Sequence, residues 1–136
     1  MLGEHGERFV PLLDRVKVGG EPVALDDAQR TGAVRFVHHW YERHVALDSG
    51  RSSTWTTGRG LTRMIAALAG DEGELWPASV VLEGEYGVSG AALTVPVTLA
   101  RGGVRELHEW ELTDEQGAAM RAAGEAVHAA AAALPL

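Results

Sequence analysis

The 136-residue sequence contains no cysteine, which excludes both a disulfide framework and a thiolate zinc site. No stretch approaches the roughly 18 consecutive apolar residues that a membrane span requires. Even the alanine-rich end, residues 118–136, is interrupted by Arg121, Glu125 and His128. Positive charge is scarce: 12 Lys and Arg against 19 Asp and Glu leave a net charge of -7, so the basic footprint of a nucleic-acid binder is missing. The amino end shows no basic region followed by an apolar one, so no secretory signal is read and a cytoplasmic protein is expected. No G-x-G-x-x-G follows a strand, and with it goes any phosphate cradle for a dinucleotide. Internal repeats and linkers are absent too.

What is present is ordinary for a globular protein. Hydrophobic residues make up 46% and charged residues 23% of a chain long enough for one domain burying about two-thirds of its unfolded surface. Residues 9–23 read as extended. Val16 and Val18 alternate with Arg15 and Lys17, Gly19-Gly20 supplies a turn, and Pro22 suits an edge strand, which together predict a β-hairpin. A single long helix is expected over 26–47, where Leu25, Val34, Val37, Tyr41 and Val45 recur near helical spacing and Asp26 and Asp27 favour its start. Its histidines, His38, His39 and His44, miss the i, i+4 spacing that zinc pairs use on a helix, so no metal site is expected.

Residues 48–53 are dense in turn formers, and a second helix is expected over 55–68 with Leu61, Met64, Ile65 and Leu68 as a core-facing stripe. Extended runs follow at 78–85 and 93–100. A third, 104–112, alternates only in part, because Val104, Leu107 and Trp110 fall three apart. Arg101-Gly102-Gly103 forms a short hairpin, and Thr113-Asp114-Glu115-Gln116 reads as a capping box opening a final helix with Met120, Ala123 and Val127 on one side. The fold class is α+β: a twisted, mainly antiparallel sheet with helices packed on one side.

The candidate for chemistry is His5, in the glycine-bracketed turn Gly3-Glu4-His5-Gly6 just before an extended apolar segment. Glycine permits close backbone approach or positive φ, and imidazole is the side chain best suited to exchange a proton near neutral pH. Four blocks in order then carry a resemblance. Gly3-Glu4-His5-Gly6 followed by Val10-Pro11, the hairpin Arg15 to Gly20, Ser53-Thr54-Trp55-Thr56-Thr57-Gly58, and Leu82 to Gly87 with Val95-Pro96-Val97 resemble the catalytic domain of the NAD-dependent lactate/malate dehydrogenase family.

That resemblance implies a C-terminal-domain-like fold, with the dinucleotide-binding domain, which comes first in the family, outside residues 1–136. It implies His5 as the acid–base group: an imidazolium polarises a 2-oxo acid's carbonyl and donates the proton as the carbonyl is reduced, and the neutral ring serves the reverse reaction. It implies Ser53 and Thr54 as substrate-proximal hydroxyls, Ser53 matching better by its distance to Trp55; helix capping is an equal account of both. Thr57 is placed against the nicotinamide, where many lactate-type enzymes carry an apolar residue, and Glu7 stands where the family more often has aspartate. The implied cofactor is NAD, and the implied partners are a small 2-hydroxy or 2-oxo acid, the dinucleotide-binding half or a full-length paralogue, and further copies in a homo-oligomer.

The family's histidine-orienting aspartate and its substrate-clamping arginines lie upstream of the histidine motif, outside this sequence. A carboxylate partner keeps an imidazole charged, an arginine fork orients the substrate, and catalytic groups need placement within about 0.5 Å. Glu4 and Glu7 are nearby carboxylates, but nothing in the sequence aims either at the ring. With His5 four residues from a terminus, where chains fray, the chain alone is expected to be inert or nearly so. Two readings stand: the catalytic half of a malate/lactate-type dehydrogenase, split or cut from its cofactor half, or a non-catalytic oligomerisation or regulatory subunit derived from that family. Either leaves an apolar face bared and predicts self-association.

Overall fold

A computed structural model describes residues 1–48, 50, 54–70 and 73–135, which divide into two compact units. The first unit, Met1–Val10 with Trp55–Leu136, is built on one antiparallel sheet. Its strands are β1 (Leu2–Gly3), β2 (Phe9–Val10), β5 (Glu74–Glu83), β6 (Ser89–Ala100) and β7 (Gly103–Leu107), while β3 (Lys17–Val18) and β4 (Glu21–Pro22) belong to the second unit. β6 is the spine. β5 runs along one edge of it, while the other edge takes β1 at Thr94 and β7 from Val97 onward; β2 flanks β1.

The alternation of β6 explains its place. Leu93, Val95, Val97 and Leu99 point one way and are at most 4% exposed. From Val95 to Ala100 the residues between them are buried as well, so this half of the strand is covered on both faces. Pro96 fits an interior strand because nitrogen and oxygen of one residue face the same neighbour in an antiparallel ladder. Its carbonyl accepts from the His108 amide at 2.9 Å, which puts its missing donor on that side too, where the β7 pairing ends.

Helix α4 (Asp114–Ala132) opens with the predicted capping box. Gln116 N–H donates to Thr113 Oγ1 at 3.2 Å, and Thr113 N–H donates to Gln116 Oε1 at 3.0 Å. Met120, Ala123 and Gly124 are its buried residues. Gly124 allows the closest approach, since a Cβ there would lie 2.6 Å from Val88 Cγ1. Helix α3 (Thr54–Ala69) is tied to β5 by Arg63, whose Nη2 donates to Glu74 Oε1 at 2.7 Å and whose guanidinium lies 5.3 Å from the Trp76 ring centre. Its stripe is not the core face that periodicity predicts: Leu61 is 55% and Ile65 64% exposed, with Met64 and Leu68 half-buried. Period identifies an apolar face but not what covers it.

The β5–β6 connection is a 3₁₀ turn at Glu85–Gly87 with Tyr86 in the left-handed region at φ 55°. Three hydrogen bonds hold that conformation. Tyr86 N–H donates to Glu109 Oε1 at 2.7 Å, its hydroxyl donates to the His108 carbonyl at 2.9 Å, and the same hydroxyl accepts from the Trp110 amide at 2.9 Å. The run expected over 104–112 therefore stops being strand at Leu107, because residues 108–110 turn to clasp Tyr86.

The second unit is Pro11–Thr54. After a 3₁₀ turn at Leu13–Arg15 it forms the predicted hairpin, β3 (Lys17–Val18) with β4 (Glu21–Pro22). Gly19 and Gly20 both have positive φ (61° and 94°), as a two-residue hairpin turn of the favoured twist requires. The single helix expected over 26–47 is two, α1 (Asp27–His38) and α2 (Trp40–Ala46). Asp26 caps α1 in a capping box with Gln29, and the break falls at His39, whose ψ of 13° leaves the helical range. No helix among the described residues is long and apolar enough to cross a membrane.

Candidate functional site

His5 sits on the five-residue connection from β1 to β2. β1 is not a frayed end: Leu2 pairs with Val10, and Gly3 pairs with Phe9 on one side and Thr94 on the other. Leu2 and Val10 are 3% and 2% exposed. An interior strand of the sheet thus fixes both ends of the loop that carries the histidine, against the fraying expected of a terminus.

The local path depends on Gly3. Its φ is +90°, and a Cβ there would lie 2.8 Å from the Arg8 carbonyl oxygen. Gly6 serves differently, without positive φ: its bare Cα leaves room for the Glu4 carboxylate, whose Oε1 a Cβ would approach at 3.1 Å. That carboxylate is turned to Arg8, with Nη1 donating to Glu4 Oε2 at 3.4 Å. The i, i+4 spacing of Glu4 and Arg8 is the signal that a reading centred on His5 passed over. The His5 ring is exposed and has no hydrogen-bond or ion-pair partner among the described residues. Such an imidazole can give or take a proton, but no carboxylate among the described residues is paired with it to set its tautomer or direction.

The remaining candidates lie around the start of α3. Thr54 is its first residue and is exposed, Thr57 is exposed one turn on, and Ser53 lies outside the described residues, as does the question whether it caps the helix. No hydrogen bond joins His5 to Thr57. Among the described residues no group of three or more His, Asp or Glu is placed to hold a metal ion.

Nor do the described residues fit a dinucleotide's pyrophosphate. Every strand pairing is antiparallel, and no glycine-rich turn leads from a strand into a helix N-terminus. What the described residues do present is one exposed imidazole on a loop whose ends are held in a sheet.

Residues 1–132 match the family model of the lactate/malate dehydrogenase alpha/beta C-terminal domain. The malate dehydrogenase of Halobacterium salinarum is 34% identical over 116 residues, which are 85% of this chain and 38% of that protein. Among solved structures, malate dehydrogenase from Aeropyrum pernix superposes with a TM-score of 0.87 at 26% identity, over 98% of this chain and 45% of that one. The minor L-lactate dehydrogenase of Enterococcus mundtii gives 0.85 at 25% identity, over 99% and 45%. The chain spans about two-fifths of the length of the curated relatives it matches.

Proposed function

The chain belongs to the lactate/malate dehydrogenase family, matching its C-terminal domain, and from that premise we propose that it is the acid–base half of a 2-hydroxy acid dehydrogenase. The observation that carries the reading is the placement of His5: an imidazole on a loop whose two ends are fixed by β1 and β2, in a chain that matches the family model from residue 1 to 132.

In the reductive direction the His5 imidazolium donates its proton to the carbonyl oxygen of a small 2-oxo acid. In the oxidative direction the neutral ring accepts the proton of the 2-hydroxyl. The hydride is what a bound nicotinamide supplies, and the site for its dinucleotide lies in a domain other than this one. The family resemblance assigns the hydroxyls of Ser53 and Thr54 to the substrate and Thr57 to the nicotinamide. Because Glu4 is taken by Arg8, the carboxylate that orients His5 also comes from that other domain, together with the cations that bind the substrate carboxylate. This chain alone is therefore inert.

The substrate class is small 2-hydroxy acids and the 2-oxo acids they interconvert with, and oxaloacetate is the first 2-oxo acid to try because the curated relatives carry the name malate dehydrogenase. The test is to mix this chain with a separately expressed dinucleotide-binding half of a relative and to follow NADH oxidation with oxaloacetate and with pyruvate. Recovery of turnover that His5→Gln removes is the expected result. No recovery with any such half counts against the reading.

A specific observation favours a second reading, a non-catalytic subunit that associates with a full-length paralogue. Large apolar side chains stand out in the solvent on α3, with Trp55 88% and Ile65 64% exposed. Under that reading His5→Gln leaves both co-purification and the paralogue's activity unchanged.

A further inference from the structure

The basic side chains along α1 and α2 have no part in the dehydrogenase reading. Between Asp27 and Ala46 there are three arginines and three histidines against Asp27 and Glu42, in a chain whose net charge is -7. Three of them, Arg35, His39 and Arg43, recur at i, i+4 and i+8. The helix break at His39 does not scatter them. His39 N–H still donates to the Arg35 carbonyl at 3.1 Å, and Arg43 N–H to the His39 carbonyl at 3.2 Å. The row therefore runs across the junction in steps of about 6 Å, one helical turn each.

These three residues line an open cleft of about 500 Å³ together with Gly32, Phe36 and Glu42. Its parts are arranged to present positive charge. The Arg43 guanidinium lies 4.3 Å above the Phe36 ring, which holds the fork by a cation–π contact. Gly32 adds no side chain, and a Cβ there would meet nothing within 4 Å, so that end stays open. Glu42, the one acid in the cleft, is engaged at 2.9 Å by Nδ1 of His39, which leaves Nε2 as the ring's remaining polar atom. Neither Arg35 nor Arg43 has a carboxylate partner among the described residues.

We infer that the α1–α2 cleft binds a small phosphate-class dianion, held by the guanidinium forks of Arg35 and Arg43 with His39 as a third contact. A tetrahedral dianion offers oxygens in several directions and so engages separated donors, whereas a lone planar carboxylate is satisfied by one fork. The site lies wholly within residues 32–43 and needs neither His5 nor any second domain, so it stands or falls independently of the dehydrogenase reading.

The experiment titrates the chain with inorganic phosphate at constant ionic strength, by calorimetry and by two-dimensional NMR, with chloride as the control anion. Saturable binding is expected, with shifts concentrated in residues 32–43. The double variant Arg35→Ala/Arg43→Ala should weaken it by about tenfold or more, while Arg101→Ala on the β6–β7 turn leaves it unchanged. Both arginines are exposed, so the double variant should melt like the parent and be read directly. Saturable binding of a phosphomonoester with equal affinity would make the phosphoryl group the recognised part; tighter binding of free phosphate would make the ion itself the ligand. Non-saturating shifts, an equal response to chloride, or unchanged affinity in the double variant would overturn the assignment.

Discussion

Gly3 shows how one residue sets the geometry of the candidate site. An alanine there meets the Arg8 carbonyl and must adopt a φ of +90°. Gly3→Ala is therefore expected to destabilise the chain by about 1–3 kcal/mol and to displace the His5 loop. Thermal melting and the amide shifts of residues 4–8 read this out, and a parent-like melting curve would show that the loop does not depend on Gly3. Tyr86 carries a separate load. Tyr86→Phe keeps the buried ring but leaves the Trp110 amide and the His108 carbonyl without their hydroxyl partner, at about 1 kcal/mol for each hydrogen bond. A denaturant midpoint equal to the parent's would contradict the clasp. Glu85 supplies a pH dependence. Hydrogen bonds from the backbone amides of Glu83 and Glu85 hold its carboxyl below the ordinary glutamate value. Its folded pKa being the lower one, it stabilises the turn above its unfolded pKa and loses that contribution as pH falls through the folded value. An NMR titration of the Glu85 carboxyl should show a depressed midpoint, returning to the ordinary range on urea unfolding. Of these residues, His5 was legible in the sequence because glycines and a known family motif surround it. Tyr86 was not: the sequence reads as extended through residue 85, and the clasp is made by residues more than twenty positions away.

At the scale of elements, α4 and α3 offer opposite outcomes for the same substitution. Gly124→Ala drives a methyl into the β-branched Val88, where overpacking costs about 1–3 kcal/mol against the roughly 1 kcal/mol that alanine gains in a helix. A lowered melting temperature is expected. Gly58→Ala in α3 has open space at its Cβ and should raise it. If Gly124→Ala stabilised the chain as Gly58→Ala does, the packing of α4 on Val88 described above would be wrong. What the sequence disclosed of the elements follows from where their signals are local. The Gly19-Gly20 hairpin and the Thr113 capping box depend on neighbours three residues apart or fewer and were legible in the sequence, whereas at Asp26 a favoured helix start was legible but not the box it closes with Gln29. The break at His39 was not, since neither proline nor glycine marks it. The end of β7 at Leu107 showed only as a lapse in alternation, because its cause is the distant Tyr86 hydroxyl.

For the whole molecule, the exposed stripe of α3 and the exposed side chains of α1 and α2 pose one question in each unit. Trp40, Tyr41, Val45 and Leu47 are at least half exposed in the second unit, as are Trp55, Leu61 and Ile65 in the first. Apolar surface of this kind promotes association, so sedimentation velocity on the isolated chain should show concentration-dependent species larger than a monomer. A monodisperse monomer at all concentrations would contradict that. The apolar period of these helices was plain in the sequence. That it faces solvent was not, because a pattern records the need for cover and never its source. The central claim is that His5 is the proton-transfer group of a dehydrogenase whose remaining parts lie in another domain, and one measurement addresses it most directly: NADH oxidation with oxaloacetate after mixing this chain with a dinucleotide-binding half, for the parent and for His5→Gln. Turnover in the parent mixture and a fall of about a hundredfold or more in the variant is the predicted result. Equal rates for parent and variant would contradict it.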